Sequence, residues 1–167
     1  RPKNKVLFTS CGFYPLAETQ SVLMLENRKN GLERFYSVFL PESPENHGNT
    51  LTGGVGCIVM NCNPFTKGHL ALITYAARAC DLLASRCSLL HIFVVEEDRS
   101  LFPFEVRMRL VKEGTAHLPN VKVHPSGPYM ISSATFPTYF LKKGEDAARI
   151  QSELDITLFA SRIAPLF

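Results

Sequence analysis

The sequence predicts an α/β fold in which a doubly wound parallel sheet alternates with helices. Three observations support this prediction. Short apolar runs recur after residue 54. These runs are apolar enough for strands that are buried on both faces. A segment with helical periodicity follows each of the first two runs. The 167 residues, of which 46% are hydrophobic, suffice for one domain with a sizeable core and a short appendage.

The first 40 residues contain two predicted elements. Residues 21–25 form a strand candidate that Asn30 and Gly31 terminate, and helical spacing follows. The apolar positions of this helix are Leu32, Phe35, Tyr36 and Phe39. This part is too short to bury its own core, so we expect it to be the end of a larger domain. Residues 41–54 are rich in proline and glycine and predict a linker.

From residue 55 onwards, strands and helices alternate. Residues 56–60, 89–95 and 121–123 are the predicted strands. The apolar faces of the two intervening helices contain Leu70, Ile73, Ala77, Cys80 and Leu83, and Phe104, Met108, Val111, Thr115 and Leu118. A last helix is predicted over residues 145–163. Its buried side contains Ile150, Leu154, Leu158 and then Ser161 or Arg162.

Charge and composition argue against several classes of protein. Eighteen basic and fifteen acidic residues give a net charge of +3 without a basic stripe, which argues against nucleic-acid binding. No apolar run reaches the length of a membrane span. Because the chain begins at Arg1 without a signal region, we expect a piece of a longer or processed, cytoplasmic polypeptide. Five irregularly spaced cysteines predict reduced thiols and no zinc site, with Cys57, Cys80 and Cys87 in the core.

The loop after the strand at residues 56–60 contains the residues that indicate chemistry. It runs NCNPFTKGH over residues 61–69 and enters a helix at the carboxyl end of a strand, where α/β folds bind ligands. Gly68 permits close backbone approach to a phosphate at the helix N-terminus. Thr66 and His69 are three residues apart, so both point towards one phosphoryl group, with Lys67 beside them. A simple helix cap is the alternative.

Other polar residues are open to two interpretations. Arg107 lies in the first turns of the helix after Pro103, either as a bidentate phosphate ligand or as a surface charge. The charged residues after the second strand are either substrate or metal contacts or a solvated turn: Glu96, Glu97, Asp98 and Arg99. We expect His91 to be a hydrogen-bonded core residue, and His117 and His124 to lie at the surface.

The T-x-G-H sequence of the loop resembles the H/T-x-G-H signature of the nucleotidyltransferase superfamily. Three longer runs, at residues 56–69, 91–115 and 118–142, resemble the citrate lyase ligase family more closely. The run CGFYPLAETQSVLMLENRKNGLERF at residues 11–35 shares this similarity, which covers most of residues 11–167.

The resemblance implies a domain organisation. Residues 1–40 correspond to the end of an acetyltransferase-like domain, and 41–54 to a linker. Residues 55–167 correspond to a Rossmann-like nucleotidyltransferase domain that is incomplete at its C-terminal end. Residues 131–135 (ISSAT) are similar to the family's second adenylate motif, but Pro137 stands where that motif has arginine, so we interpret them as a chance match.

The resemblance also implies an activity and a site. The family uses ATP, with Mg²⁺, to acetylate the prosthetic-group thiol of the citrate lyase acyl carrier subunit, through acetyl-adenylate and with release of AMP and pyrophosphate. Thr66 and His69 correspond to catalytic residues. The implied nucleotide site contains Asn61, Asn63, Phe65, Thr66, Lys67, Gly68, His69 and Arg107. A coenzyme-biosynthesis adenylyltransferase and a catalytically silent fragment that binds the carrier subunit are the alternatives.

Overall fold

A computed structural model describes residues 1–39, 54–82, 87–96, 100–130, 136–139, 141 and 146–167. Contacts divide the chain into two compact units, one of Arg1–Leu40 with Ile131–Phe167 and one of Pro41–Met130. The predicted linker lies outside the described residues except for Gly54, which begins a strand. The predicted domain boundaries therefore stay a prediction.

The first unit combines a β-hairpin with three helices. Its elements are α1 (Lys5–Ser10), β1 (Tyr14–Glu18), β2 (Leu23–Glu26), α2 (Gly31–Ser37) and α5 (Ala147–Leu158). The two strands are antiparallel. The predicted strand at residues 21–25 and the helix after it are thus observed as β2 and α2, whereas β1 was not predicted.

The last predicted helix is observed as α5 followed by a π-helical turn at Phe159–Ile163. Asp146 caps α5 because its carboxylate accepts hydrogen bonds from the N–H groups of Ala148 and Arg149, at 3.0 and 3.1 Å. The predicted residues Ile150, Leu154 and Leu158 are buried. The next buried residue is Ile163 rather than Ser161 or Arg162, because the wider turn places it five residues after Leu158.

The second unit is a three-stranded parallel sheet with two helices. Its elements are β3 (Gly54–Met60), α3 (Lys67–Leu82), β4 (Cys87–Val94), α4 (Phe104–Thr115) and β5 (Val121–Pro125). The central strand is β4. All three predicted strands and both helices between them are observed, which confirms the predicted α/β fold with a parallel sheet.

The described core of this unit lies on one face of the sheet. It contains Met60, Cys62, Ile73, Ala77, Cys80, Leu90, Ile92, Val94 and Val111. On the opposite face of β3, Val55 and Val59 are 39% and 47% exposed and Cys57 is also exposed. The prediction that this strand is buried on both faces, with Cys57 in the core, is wrong, because among the described residues α3 packs against one face of β3 and the face with Cys57 stays exposed.

Two histidines lie on the face of the sheet opposite this core. Nδ1 of His91 lies 2.8 Å from Nε2 of His124, and the two rings stack at 5.0 Å. The prediction that His91 is a buried, hydrogen-bonded residue is thus confirmed. The surface position predicted for His124 is wrong, because the pairing of β5 with β4 places it opposite Phe93 and leaves it 6% exposed. His117 is exposed, as predicted.

The cysteines differ from the prediction in one further respect. Cys11, Cys57 and Cys62 are free thiols, whereas Cys80 is disulfide-bonded. The expectation of reduced thiols is wrong for Cys80, because spacing along the chain does not show which cysteines the fold brings together. Within the described ranges, no three His, Cys, Asp or Glu side chains group in a way that could hold a metal ion. None of the helices described has the length and apolar character of a membrane span.

Candidate functional site

The loop predicted to bind phosphate, at residues 61–69, leads from the carboxyl end of β3 into the N-terminus of α3. The helix begins at Lys67, and the N–H of Leu70 donates to the carbonyl of Thr66 at 3.1 Å. The first N–H groups of a helix have no carbonyl partner within it, and they form the positive end of its dipole. The exposed residues Thr66, Lys67 and Gly68 surround this end, which therefore offers donors to an anion.

Thr66 and His69 contact each other at the start of α3. Oγ1 of Thr66 lies 2.8 Å from Nδ1 of His69, and the backbone N–H of Thr66 donates to the same nitrogen at 3.0 Å. A ring nitrogen that accepts an N–H bond carries no proton, so the proton of the neutral imidazole is on Nε2. The loop therefore holds His69 as a hydrogen-bond donor through Nε2.

Gly68 leaves open space beside the helix N-terminus. A Cβ built at this residue meets only Oγ1 of Thr66, at 3.6 Å, which is an ordinary van der Waals contact. The packing of the protein therefore does not require a glycine here. Glycine in a helix is about 0.5–1 kcal/mol less favourable than alanine, and close approach of a ligand to the backbone stays the predicted reason for this residue.

Asn61 and Asn63 join the loop after β3 to the loop after β4. Oδ1 of Asn63 accepts from the N–H of Phe102 at 3.0 Å. Oδ1 of Asn61 accepts from Oγ of Ser100 at 3.4 Å and from Nη1 of Arg107 at 2.9 Å. Both side-chain oxygens thus have structural partners, and direct contact of these asparagines with a nucleotide stays a prediction.

Arg107 is fully buried at the carboxyl edge of the sheet. Its Nη1 donates to the carbonyls of Asn61 and Val95, each at 2.7 Å, and its Nε donates to the carbonyl of Phe102 at 3.0 Å. The alternative of a surface charge is wrong, because α4 turns this position inwards. The hydrogen bonds of the guanidinium connect α4 to the residues that follow β3 and β4. A contact of Arg107 with phosphate stays a prediction.

Three further residues were not among the predicted site residues: Cys62, Ser126 and Gly114. Cys62 is buried with a φ of 54°, and burial raises the pKa of its thiol to about 11. The buried Ser126 accepts the N–H of Glu96 on its Oγ at 3.0 Å. Gly114 lies in α4 against the Phe65 ring. A glycine inside a helical pattern is the signal that could have indicated Gly114, since such residues usually have a packing reason.

Several sequence candidates lie outside the described residues. They are Glu97, Asp98 and Arg99, and residues 131–135. Glu96 is described and is exposed.

The parallel sheet and the T-x-G-H loop at a helix N-terminus define a class of protein, the nucleotidyltransferase superfamily. Within it, the chain belongs to the citrate lyase ligase family, because the profile of the citrate lyase ligase C-terminal domain matches residues 55–167. This match confirms the resemblance to the family that was predicted from the sequence.

Curated relatives agree with this family. The chain is 41% identical over 162 residues to the citrate (pro-3S)-lyase ligase of Escherichia coli strain K12, across 96% of this chain and 42% of that protein. It is 37% identical over 167 residues to the ligase of Klebsiella pneumoniae, across 99% and 45%. It is 30% identical over 113 residues to the phosphopantetheine adenylyltransferase of Streptococcus gordonii, across 66% of each. The chain spans less than half the length of the ligases that it matches.

Proposed function

We propose that this chain is the nucleotide-binding part of an ATP-dependent ligase that acetylates the prosthetic-group thiol of the citrate lyase acyl carrier subunit. The observation that carries the proposal is the contact between Thr66 and His69 at the N-terminus of α3. The ligase relatives, at 37–41% identity, support the reaction class. Under the same proposal, residues 1–40 end an acetyltransferase-like domain, and the cytoplasm is the expected location.

In the proposed first step, an acetate oxygen attacks the α-phosphorus of ATP, and the bond to pyrophosphate breaks. Acetate is already a nucleophile, so the protein needs to align the reactants and stabilise the charge on the phosphate. Nε2–H of His69 and the first N–H groups of α3 donate to the α-phosphate oxygens. Thr66 holds the opposite nitrogen of the ring, and Lys67 adds positive charge. Mg²⁺ enters as part of the MgATP substrate.

In the second step, the carrier thiol, as its thiolate, attacks the acyl carbon of acetyl-adenylate, and AMP leaves. The buried hydrogen bonds of Arg107 and of Asn61 hold the loop in place for both steps. Phe65 and Asn63 complete the proposed nucleotide site. Acetate, ATP and the acyl carrier subunit are the proposed reactants, and no nucleic acid or membrane takes part.

The test is ATP–pyrophosphate exchange in the full-length protein that contains this chain. Exchange should depend on acetate, and His69→Ala should lower its rate about 100-fold or more, because the lost donor acts chiefly in the transition state. The control is His117→Ala, which changes an exposed histidine and should leave the rate unchanged. Near-normal exchange in His69→Ala would overturn the proposal.

A second candidate is adenylyl transfer to a phosphate nucleophile. The relatives named phosphopantetheine adenylyltransferase favour it, at 30–43% identity over 36–66% of this chain. The same exchange assay separates the two functions. Exchange that requires 4′-phosphopantetheine rather than acetate would establish this candidate and exclude the ligase.

A further inference from the structure

We propose that Phe65 is a positioning residue that sets the orientation of the His69 imidazole, and that residue 114 is glycine in order to admit the Phe65 ring. The inference rests on the proposed function, because in that proposal His69 donates a hydrogen bond to the α-phosphate of ATP. Three contacts among described residues carry it: Gly114 with Phe65, Phe65 with His69, and His69 with Thr66.

The first contact places the Phe65 ring in the space that a side chain at Gly114 would fill. A Cβ built at Gly114 lies 2.5 Å from Cε1 of Phe65, 3.3 Å from Cζ and 3.4 Å from Cδ1. The shortest of these distances is about 1 Å below carbon–carbon contact. Glycine inside a helix is unfavourable by about 1 kcal/mol relative to alanine, so Gly114 makes α4 less stable than alanine would. The ring of Phe65 supplies the physical reason.

The second contact joins Phe65 to the imidazole. The two rings are nearly parallel, with 20° between their planes and 6.1 Å between their centroids. Phe65 also packs against the buried core of the unit, which anchors its ring. The Phe65 ring, which the core of the unit and α4 hold in place, therefore lies beside the His69 ring and nearly parallel to it.

The third contact holds the edge of the same imidazole. The N–H and the Oγ1 of Thr66 both contact Nδ1. The hydrogen bonds at Nδ1 alone permit the imidazole to tilt about them, whereas a neighbouring, nearly parallel ring limits that tilt. Phe65 and Thr66 together define where Nε2–H points, and Gly114 makes the position of Phe65 possible.

The test combines ¹⁵N and ¹H NMR of the histidine side chains with exchange kinetics in the full-length protein. Gly114→Ala should displace the Phe65 ring and change the ring-current shifts of His69. It should lower kcat for acetate-dependent exchange about 10-fold or more while KM for ATP changes less than about twofold, because misdirection of a donor acts mainly on the transition state. Phe65→Leu, which removes the ring without a clash, should change the Nδ1 ¹⁵N shift of His69, which reports the hydrogen bonds of that nitrogen rather than the loss of the ring current. Adding Phe65→Leu to Gly114→Ala should restore kcat to the level of Phe65→Leu alone.

The matched control is Glu113→Ala, at an exposed position of the same helix, which should leave the His69 signals and kcat unchanged. Unchanged His69 signals in both Gly114→Ala and Phe65→Leu would overturn the positioning role, whatever the activity. Altered His69 signals with normal exchange would support the positioning role and overturn the proposed function. If Gly114→Ala does not fold, Phe65→Leu decides the question by the same two measurements.

Discussion

Acidification should destabilise the parallel sheet through the His91–His124 pair. The two imidazoles are 4% and 6% exposed, and their nitrogens lie 2.8 Å apart. Burial lowers the pKa of each ring from 6.5 to about 4, and the positive charge of Lys122 contributes to both shifts. For His124, the charges of His91 and Lys112 contribute as well. The folded protein therefore keeps this pair neutral in mildly acidic solution.

The direction of the effect follows from which state binds protons first. Both pKa values are lower in the folded chain than in the unfolded chain, so the unfolded chain is protonated first as the pH falls. Stability is complete above about pH 7 and is lost progressively between pH 6.5 and about 4. For one imidazole, the difference between its pKa of 6.5 in the unfolded chain and about 4 in the folded chain corresponds to about 3 kcal/mol. Because the rings are hydrogen-bonded, the pair titrates as a unit, and its total effect lies between this value and twice it.

Urea unfolding at a series of pH values measures this loss. The double variant His91→Gln/His124→Gln should show a smaller decrease in the free energy of unfolding over this range than the wild type. His117→Gln, at an exposed position, should retain the wild-type decrease. If the double variant loses as much stability as the wild type on acidification, the pair is not the cause and the reasoning is refuted.

Two further predictions concern the candidate site. Gly68→Ala should fold with a slightly higher thermal stability, since its Cβ meets only Oγ1 of Thr66 and alanine is about 0.5–1 kcal/mol more favourable than glycine in a helix. Gly68→Val should abolish measurable ATP binding in calorimetric titration by blocking approach to the backbone. Equal ATP affinity in Gly68→Val would mean that the loop is only a helix cap. Arg107→Leu should lower the free energy of unfolding by about 3 kcal/mol or more, because it leaves the carbonyls of Asn61 and Val95 without their donor. The control is Arg109→Leu, which changes an exposed arginine of the same helix. Urea denaturation measures the free energy of unfolding of both variants. An equally small decrease in both would contradict the role of Arg107.

The local sequence pattern was sufficient to predict most secondary-structure elements and the position of the loop between β3 and α3. Apolar runs and helical spacing are properties of neighbouring residues, so they predicted β3, β4 and β5 and the helices α3 and α4. That Thr66 and His69 lie on one side of the helix start was also predicted, because residues three apart meet within one helical turn, whereas their hydrogen bond to each other was not. These predictions needed no knowledge of what packs against the elements.

Tertiary structure alone decided which faces of these elements are buried and which residues meet. The exposure of Cys57 depends on which face of β3 the helix α3 covers, and the burial of His124 depends on how β5 pairs with β4. The inward position of Arg107 and the approach of Phe65 to Gly114 join residues more than 40 positions apart. Local periodicity cannot encode such contacts, because they depend on strand pairing and on packing between elements that are distant in the sequence.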